Sequence, residues 1–173
     1  MAEVNNQNLR DDFAKAYEDF GDAIFRYCLY QTSNREKALD LTADTFTKTW
    51  EYLSKGETKE VENLRAFLYK VANNLIIDDR RKKKSLSLDT MTESGFDVQS
   101  GQDEAEQYES AYDGKIALEA VKNLDEKYRD VLMLRYVDDM TVGEIAKIVG
   151  ESENNVSVRI HRGLEKLKEI VNH

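Results

Sequence analysis

Residues 64–84 read LRAFLYKVANNLIIDDRRKKK. Leu64, Phe67, Leu68, Val71, Ala72, Leu75 and Ile76 recur at spacings of three and four, which predicts one continuous helix with one packing stripe. The other side carries Arg65, Tyr69, Lys70, Asn73, Asn74 and Arg81, and the stretch runs into five consecutive cations, Arg80, Arg81, Lys82, Lys83 and Lys84. Cations suit phosphates, amides suit base edges and an aromatic ring suits stacking. A solvated face ending in a cationic cap is the plainer alternative, because cations also stabilise a helix C-terminus. The choice between the two depends on the rest of the chain.

The chain has 173 residues, no proline and one cysteine, Cys28. That length suits one domain or two small ones. A lone cysteine forms neither a disulfide framework nor a metal cluster, so a reducing cytoplasm is the expected compartment. Cys28 lies among Phe25, Tyr27, Leu29 and Tyr30 and reads as core rather than nucleophile. The polar start MAEVNNQNLRDD has no apolar segment of a signal peptide, and no apolar run approaches the roughly 18 residues of a membrane span.

The formal net charge of −9 argues against a nucleic-acid binder until it is localised. Residues 1–84 hold 15 basic and 15 acidic side chains; residues 85–114 hold no basic and 8 acidic; residues 115–173 hold 10 and 11. The excess acid therefore sits in the middle, between two nearly neutral flanks with local cation clusters. Affinity for DNA follows the phosphates neutralised at the contact, not the whole-chain charge. Without a strong positive field such a chain binds DNA weakly alone, which points to a partner that supplies most of the affinity.

Taken in order, residues 1–8 read as a frayed tail and a helix is expected from about Leu9 to Thr32, weakened at Gly21. Ser33-Asn34-Arg35-Glu36 reads as a capping box opening a second helix over about 34–54, with Leu41, Phe46, Trp50 and Leu53 inward and Asp40, Asp44 and Lys48 outward. Asn63 is placed to cap the basic helix. Residues 85–114 are acidic, rich in Ser and Gly and aperiodic, which reads as a flexible linker whose acid serves solubility or a function of its own. The expected fold is all-α: two small helical domains, 1–84 and 115–173, joined by that linker.

The second domain carries the more specific pattern. Thr141-Val142-Gly143-Glu144 is a capping box before Ile145, Ala146, Ile148 and Val149; Gly150 stands where that helix ends; Ser152 caps a longer helix with Val156, Ile160, Leu164, Leu167 and Ile170 inward. Short helix, tight Gly turn and long helix make a helix-turn-helix, whose second helix enters the major groove by its N-terminal residues. Those residues are Glu153, Asn154, Asn155, Ser157 and Val158, followed by Arg159, His161 and Arg162 at phosphate-contact positions. Asparagine pairs with adenine and glutamate accepts from cytosine. Such motifs also serve protein contacts. No catalytic set, metal site or cofactor loop is visible: His161 and His173 lack a clustered thiol or carboxylate, and Asp78 and Asp79 read as orienting the neighbouring cations.

These features together resemble the extracytoplasmic-function (ECF) sigma factors, small two-domain members of the sigma-seventy class of bacterial RNA polymerase specificity subunits. Residues 38–46 with Trp50 look like the region two motif AEDLvQETF…W, and residues 65–81 look like RAWLyrIArNlaiDxxRr. Residues 131–136 and 144–146 look like VLLLRY and EIA of region four; Gly150, Ser152, Val156, Arg159, His161, Arg162 and Leu167 fit the pattern that follows.

The resemblance implies docking on the clamp helices of the polymerase largest subunit, with Asp40, Asp44 and Lys48 on the contact surface, and a flap contact for region four. It implies opening of the promoter −10 element with capture of a flipped base by Arg65, Lys70, Asn73 and Asn74, with Tyr69 and the cations Arg80 to Lys84 on the same DNA surface. The helix from Glu153 would read the −35 element. An anti-sigma protein is the expected regulator, and neither a small-molecule substrate nor a membrane association is implied. Ala43 in place of glutamine, Glu151 in place of an apolar residue, Asp125 in place of proline, and Ser157 and Leu164 in place of basic residues depart from the family pattern. A stand-alone helix-turn-helix regulator and a pure adaptor are the rival functions.

Overall fold

A computed structural model of the chain describes residues 2–55, 61–89 and 119–172; side chains are described at 8–55, 61–87 and 119–172. The described residues form two compact units. The expected linker 85–114 overlaps them only at 85–89, where the chain is still helical; its remainder lies outside the described residues, as do residues 56–60 of the loop before the basic helix.

The first unit has three helices, α1 (Ala2–Thr32), α2 (Arg35–Ser54) and α3 (Leu64–Asp89). The helix α1 starts well before the expected Leu9 and passes Gly21 without a break. The α1–α2 corner corrects the expected capping box. Ser33 takes a left-handed φ of 51° and its N–H donates to the Leu29 carbonyl at 2.8 Å, so it closes α1. The cap of α2 is Asn34, whose side chain accepts from the Lys37 amide at 2.8 Å. Asn63 does cap α3, accepting from the Ala66 amide at 2.9 Å.

The core of this unit joins Ile24, Tyr27 and Cys28 of α1, Ala38, Leu41 and Phe46 of α2, and Leu68, Ala72 and Ile76 of α3. Thr42, Thr45 and Thr49 are buried on α2, and each hydroxyl donates to the carbonyl one turn back at 2.6–2.8 Å, which satisfies it inside the core. Phe13 meets Phe46 and Trp50 with ring centroids 6.0 and 5.1 Å apart. Burial pushes the Cys28 thiol up to about 11, against a hydrogen bond with Thr42, so it stays a neutral thiol at physiological pH.

The helix α3 packs against both α1 and α2. Its buried residues form two rows, Leu68, Ala72 and Ile76, and beside them Ala66, Tyr69 and Asn73. The stripe read from hydrophobicity is thus displaced by part of a turn: Leu64, Phe67, Val71 and Leu75 are only half-buried. A helix seated between two others buries two rows instead of one, and the second row here contains a tyrosine and an asparagine.

Ion pairing ties α3 to α2. Lys37 meets Asp79 at 2.6 Å, and Lys83 meets the other Asp79 oxygen at 3.4 Å. Burial raises the Asp79 pKa, but the Lys37 hydrogen bond and the charges of Lys83 and Lys37 outweigh it and hold the carboxyl below its ordinary 3.8. The Lys37 ammonium is held above 10.5 by the hydrogen bond to Asp79, against partial burial, with help from the charges of Asp79, Asp40 and Asp44.

The second unit contains a helical turn at 119–122 and then α4 (Glu126–Tyr136), α5 (Val142–Val149) and α6 (Glu153–Val171). The expected capping box is present: the Glu144 amide donates to the Thr141 hydroxyl at 3.2 Å and the Thr141 amide donates to Glu144 at 2.8 Å. Gly150 takes the left-handed conformation, φ 71°, and the Ser152 side chain caps α6 by accepting from the Asn155 amide. The core is Leu124, Tyr128, Val131, Leu132, Leu134, Met140, Ile145, Ile148, Val156 and Ile160. Gly163 belongs to it as well. A Cβ there would stand 3.1 Å from Leu132 Cδ1, so α6 approaches α4 more closely than an alanine comfortably permits.

The Asp79 contribution to stability is complete above its unfolded value near 3.8 and disappears as acid passes through the lower folded value; that of Lys37 is complete below 10.5 and disappears in strong base. Replacing Asp79 by Asn is therefore expected to cost about 1 kcal/mol at pH 7, read as a lower thermal midpoint by circular dichroism. The gap from wild type should close in acid below the folded Asp79 pKa; a gap independent of pH contradicts the assignment.

Candidate nucleic-acid interface

The outward face of α2 carries Asp40, Asp44 and Lys48 at four-residue spacing, all exposed as expected. Beside them a groove of 770 Å³ runs between α1 and α2, with Glu18 and Asp22 on the α1 side. Tyr17, 57% exposed, and Leu39, 51% exposed, contribute apolar surface to it, and Ala43 lies within it. This face combines acid with apolar surface, which suits a cationic amphipathic partner.

The α3 surface differs from the sequence reading. Lys70 and Asn74 are exposed, and Arg65 is half-buried with its guanidinium 5.8 Å from the centre of the Tyr69 ring. Tyr69 is 0% exposed and packs edge-on to Tyr27, with centroids 5.2 Å apart. Asn73 is 3% exposed and accepts a hydrogen bond from the Tyr27 hydroxyl at 3.2 Å. Both were expected on the DNA-facing side and both stand in the core. The cause is the second buried row described above: positions 69 and 73 face α1.

Between α2 and α3 lies a groove of 340 Å³. Phe67, Val71 and Leu75 form its apolar wall and Asn74 and Asp78 its polar edge; α2 contributes Lys48, Glu51, Tyr52 and Lys55. The Tyr52 and Phe67 rings lie 4.9 Å apart. Tyr52 and Lys55 were missed in the sequence, although Lys48, Tyr52 and Lys55 fall at i, i+4 and i+7 and so share a face. An apolar wall, an aromatic ring, an exposed amide and two cations can accept a flat polar ring with an attached phosphate.

The five consecutive cations of α3 do not act alike. Arg81, Lys82, Lys83 and Lys84 are exposed. Arg80 is half-buried, and its Nη2 donates to Gln31 Oε1 at 2.6 Å. Arg80 is thus engaged within the unit, contrary to its expected place among the phosphate-binding cations.

In the second unit the start of α6 presents Glu153, Asn154, Asn155, Ser157, Val158, His161 and Arg162 to solvent. Val158, 40% exposed, offers an apolar contact among polar ones, the kind that meets a thymine methyl. His161 stands 3.3 Å from Glu165 one turn on. Arg159 departs from its expected phosphate position. Its Nε donates to the Lys127 carbonyl at 3.0 Å, its Nη2 donates to the same carbonyl, and its Nη1 meets Glu151 at 2.5 Å. Position 159 borders the buried row of Val156 and Ile160, so its side chain folds back onto the start of α4. Glu151, which stands where the family pattern has an apolar residue, serves as its partner. Among the described residues no helix is long and apolar enough to cross a membrane.

Residues 16–86 match the model of sigma-70 region 2, and residues 115–167 match that of sigma-70 region 4. The chain is 27% identical to the ECF RNA polymerase sigma factor SigW of Bacillus subtilis, over 92% of this chain and 88% of the relative. It is 29% identical to the ECF RNA polymerase sigma factor SigL of Mycobacterium tuberculosis, over 88% and 84%. In fold it is similar to the sigma factor RpoE of Bartonella quintana, solved with the anti-sigma factor NepR: TM-score 0.78 at 22% identity, covering 93% of this chain and 97% of that one. It is also similar to CnrH, solved with the cytosolic domain of CnrY: TM-score 0.66 at 20% identity, covering 94% and 89%. With both sigma-seventy regions present in order on two helical units, the chain belongs to the ECF sigma factors and functions in transcription initiation by RNA polymerase.

Proposed function

We propose that the first unit docks on the clamp helices of core RNA polymerase through the α2 face of Asp40, Asp44 and Lys48, and opens the promoter −10 element with α3. The second unit contacts the polymerase flap and reads the −35 element with the start of α6. The observation that carries the −10 assignment is the α2–α3 groove, where Asn74, Tyr52 and Lys48 converge on an apolar wall. Unstacking a base costs a few kcal/mol. Stacking on an aromatic ring returns about 1–3 kcal/mol, and a bidentate amide pairing returns about as much again. Asn74, being exposed, is the amide that meets the base; Asn73 supports it from the core through Tyr27.

In this reading Lys70, Arg81, Lys82, Lys83 and Lys84 hold phosphates of the opened strand, and Arg65 acts at the edge of the same surface. Glu153, Asn154, Asn155, Ser157 and Val158 face base edges of the −35 duplex, with His161 and Arg162 at its backbone. The chain works in the cytoplasm, needs no cofactor or metal, and leaves the chemistry of RNA synthesis to the polymerase. Because RpoE was solved with the anti-sigma factor NepR, an anti-sigma partner is also inferred for this chain.

Reversing both acids, Asp40→Lys with Asp44→Lys, is expected to weaken binding to core polymerase by at least about tenfold, given the like-charge cost at a complementary face. Unchanged affinity in a pull-down or fluorescence titration would remove the α2 face from the contact. Asn74→Ala is expected to reduce permanganate reactivity of −10 thymines in the holoenzyme complex while leaving binding to closed duplex near wild type. Equal losses in the two assays would remove the base-capture role.

A further inference from the structure

Asp79 and Arg80 are neighbours in sequence but grip opposite sides of the α1–α2 corner. Asp79 takes Lys37, in the first turn of α2, and Arg80 reaches Gln31, in the last turn of α1. Asn34, the corner cap, lies midway between these two partners in sequence. Gln31 is 7% exposed and uncharged. Its amide orientation is set by Arg80: a guanidinium only donates, so Gln31 must present its oxygen, and its own amide nitrogen is left buried without a hydrogen-bond partner. A buried donor is sacrificed to hold this contact, which marks the contact as one the fold is built to keep.

The consequence falls on the next turn. Arg81, Lys82 and Lys84 follow immediately and are exposed. Asp79 and Arg80 tie α3 to both neighbouring helices directly before residues 81–84, so these contacts bear on the heading of those residues.

We propose that Asp79, Arg80 and Gln31 form a corner clamp that aims the exposed cations of α3 at promoter phosphates, and that Arg80 is a positioning residue, not itself a phosphate ligand. The proposal rests on the promoter-binding function above and assigns roles that neither charge nor exposure alone would give. It makes Gln31, a neutral side chain inside the protein, a determinant of an electrostatic interaction outside it.

The test is the salt dependence of promoter binding by the reconstituted holoenzyme, on a duplex fragment taken from a transcription start that this holoenzyme uses. Each phosphate that the protein no longer neutralises lowers the slope of log affinity against log salt by about 0.9 on duplex and about 0.7 on single strands. Lys82→Ala and Lys84→Ala are expected to lower the slope by that amount each. Gln31→Met removes no charge, yet is expected to lower it by at least the value of one phosphate. Arg80→Ala should match it, and the double variant should fall no further. Gln31→Glu keeps the acceptor and is expected to keep the slope. Gln31→Ala replaces Gln31→Met if circular dichroism shows the latter unfolded.

A fall with Arg80→Ala but none with Gln31→Met makes Arg80 a direct phosphate ligand and overturns the clamp. Weaker binding by Gln31→Met with an unchanged slope makes Gln31 merely structural and overturns it equally. If Lys82→Ala and Lys84→Ala leave the slope unchanged, the basic end touches no phosphate; that result removes the phosphate reading of α3, and the clamp with it.

Discussion

The seating of α3 between α1 and α2 is the constraint on which the first unit depends. Two rows of α3 are buried, one through Leu68, Ala72 and Ile76 and one through Tyr69 and Asn73. That double burial fixes the rotation of the helix about its axis. The rotation in turn decides that Asn74 and Lys70 face solvent, that Phe67, Val71 and Leu75 line a groove with α2, and that Arg80 meets Gln31. A rotation of one residue would exchange Asn73 and Asn74 between core and surface. The buried hydrogen bond from Tyr27 to Asn73 is specific to the observed setting, because an apolar residue at 73 would leave the tyrosine hydroxyl without it.

The electrostatics follow the same logic of placement over totals. A chain of net charge −9 still presents a cationic strip, because Arg81, Lys82, Lys83 and Lys84 are consecutive and exposed on α3. Lys37 pairs with Asp79 and feels the charges of Asp40 and Asp44, so the outward acids of α2 and the root of the basic strip share one ammonium group. In the second unit Arg159 has a comparable structural use: it braces the start of α4 and the turn at Glu151, leaving the start of α6 to present its amides.

Much of this was legible in the sequence. The two helical units, the Thr141–Glu144 capping box, the Gly150 turn, the Ser152 cap and the exposed start of α6 follow from local chemistry, because each depends on residues within one or two turns. The outward stripe of Asp40, Asp44 and Lys48 was legible for the same reason. What misled was non-local. Tyr69 and Asn73 are polar enough to read as surface, and only the presence of two neighbouring helices buries them. Arg80 and Arg159 are long cations whose partners, Gln31 and Lys127, lie 49 and 32 residues away in sequence. The cap of α2 moved by one residue because Ser33 was needed to end α1, a competition that a capping pattern read alone does not reveal. Gly163 carried no signal until the approach of α4 supplied one.

The most direct measurement is transcription by the purified chain with bacterial core polymerase on a fragmented genomic library, with transcript starts mapped at single-nucleotide resolution. Discrete starts sharing two upstream motifs are the predicted result. Tight binding of duplex DNA by the chain alone, with no binding to polymerase and no new starts, would contradict the account.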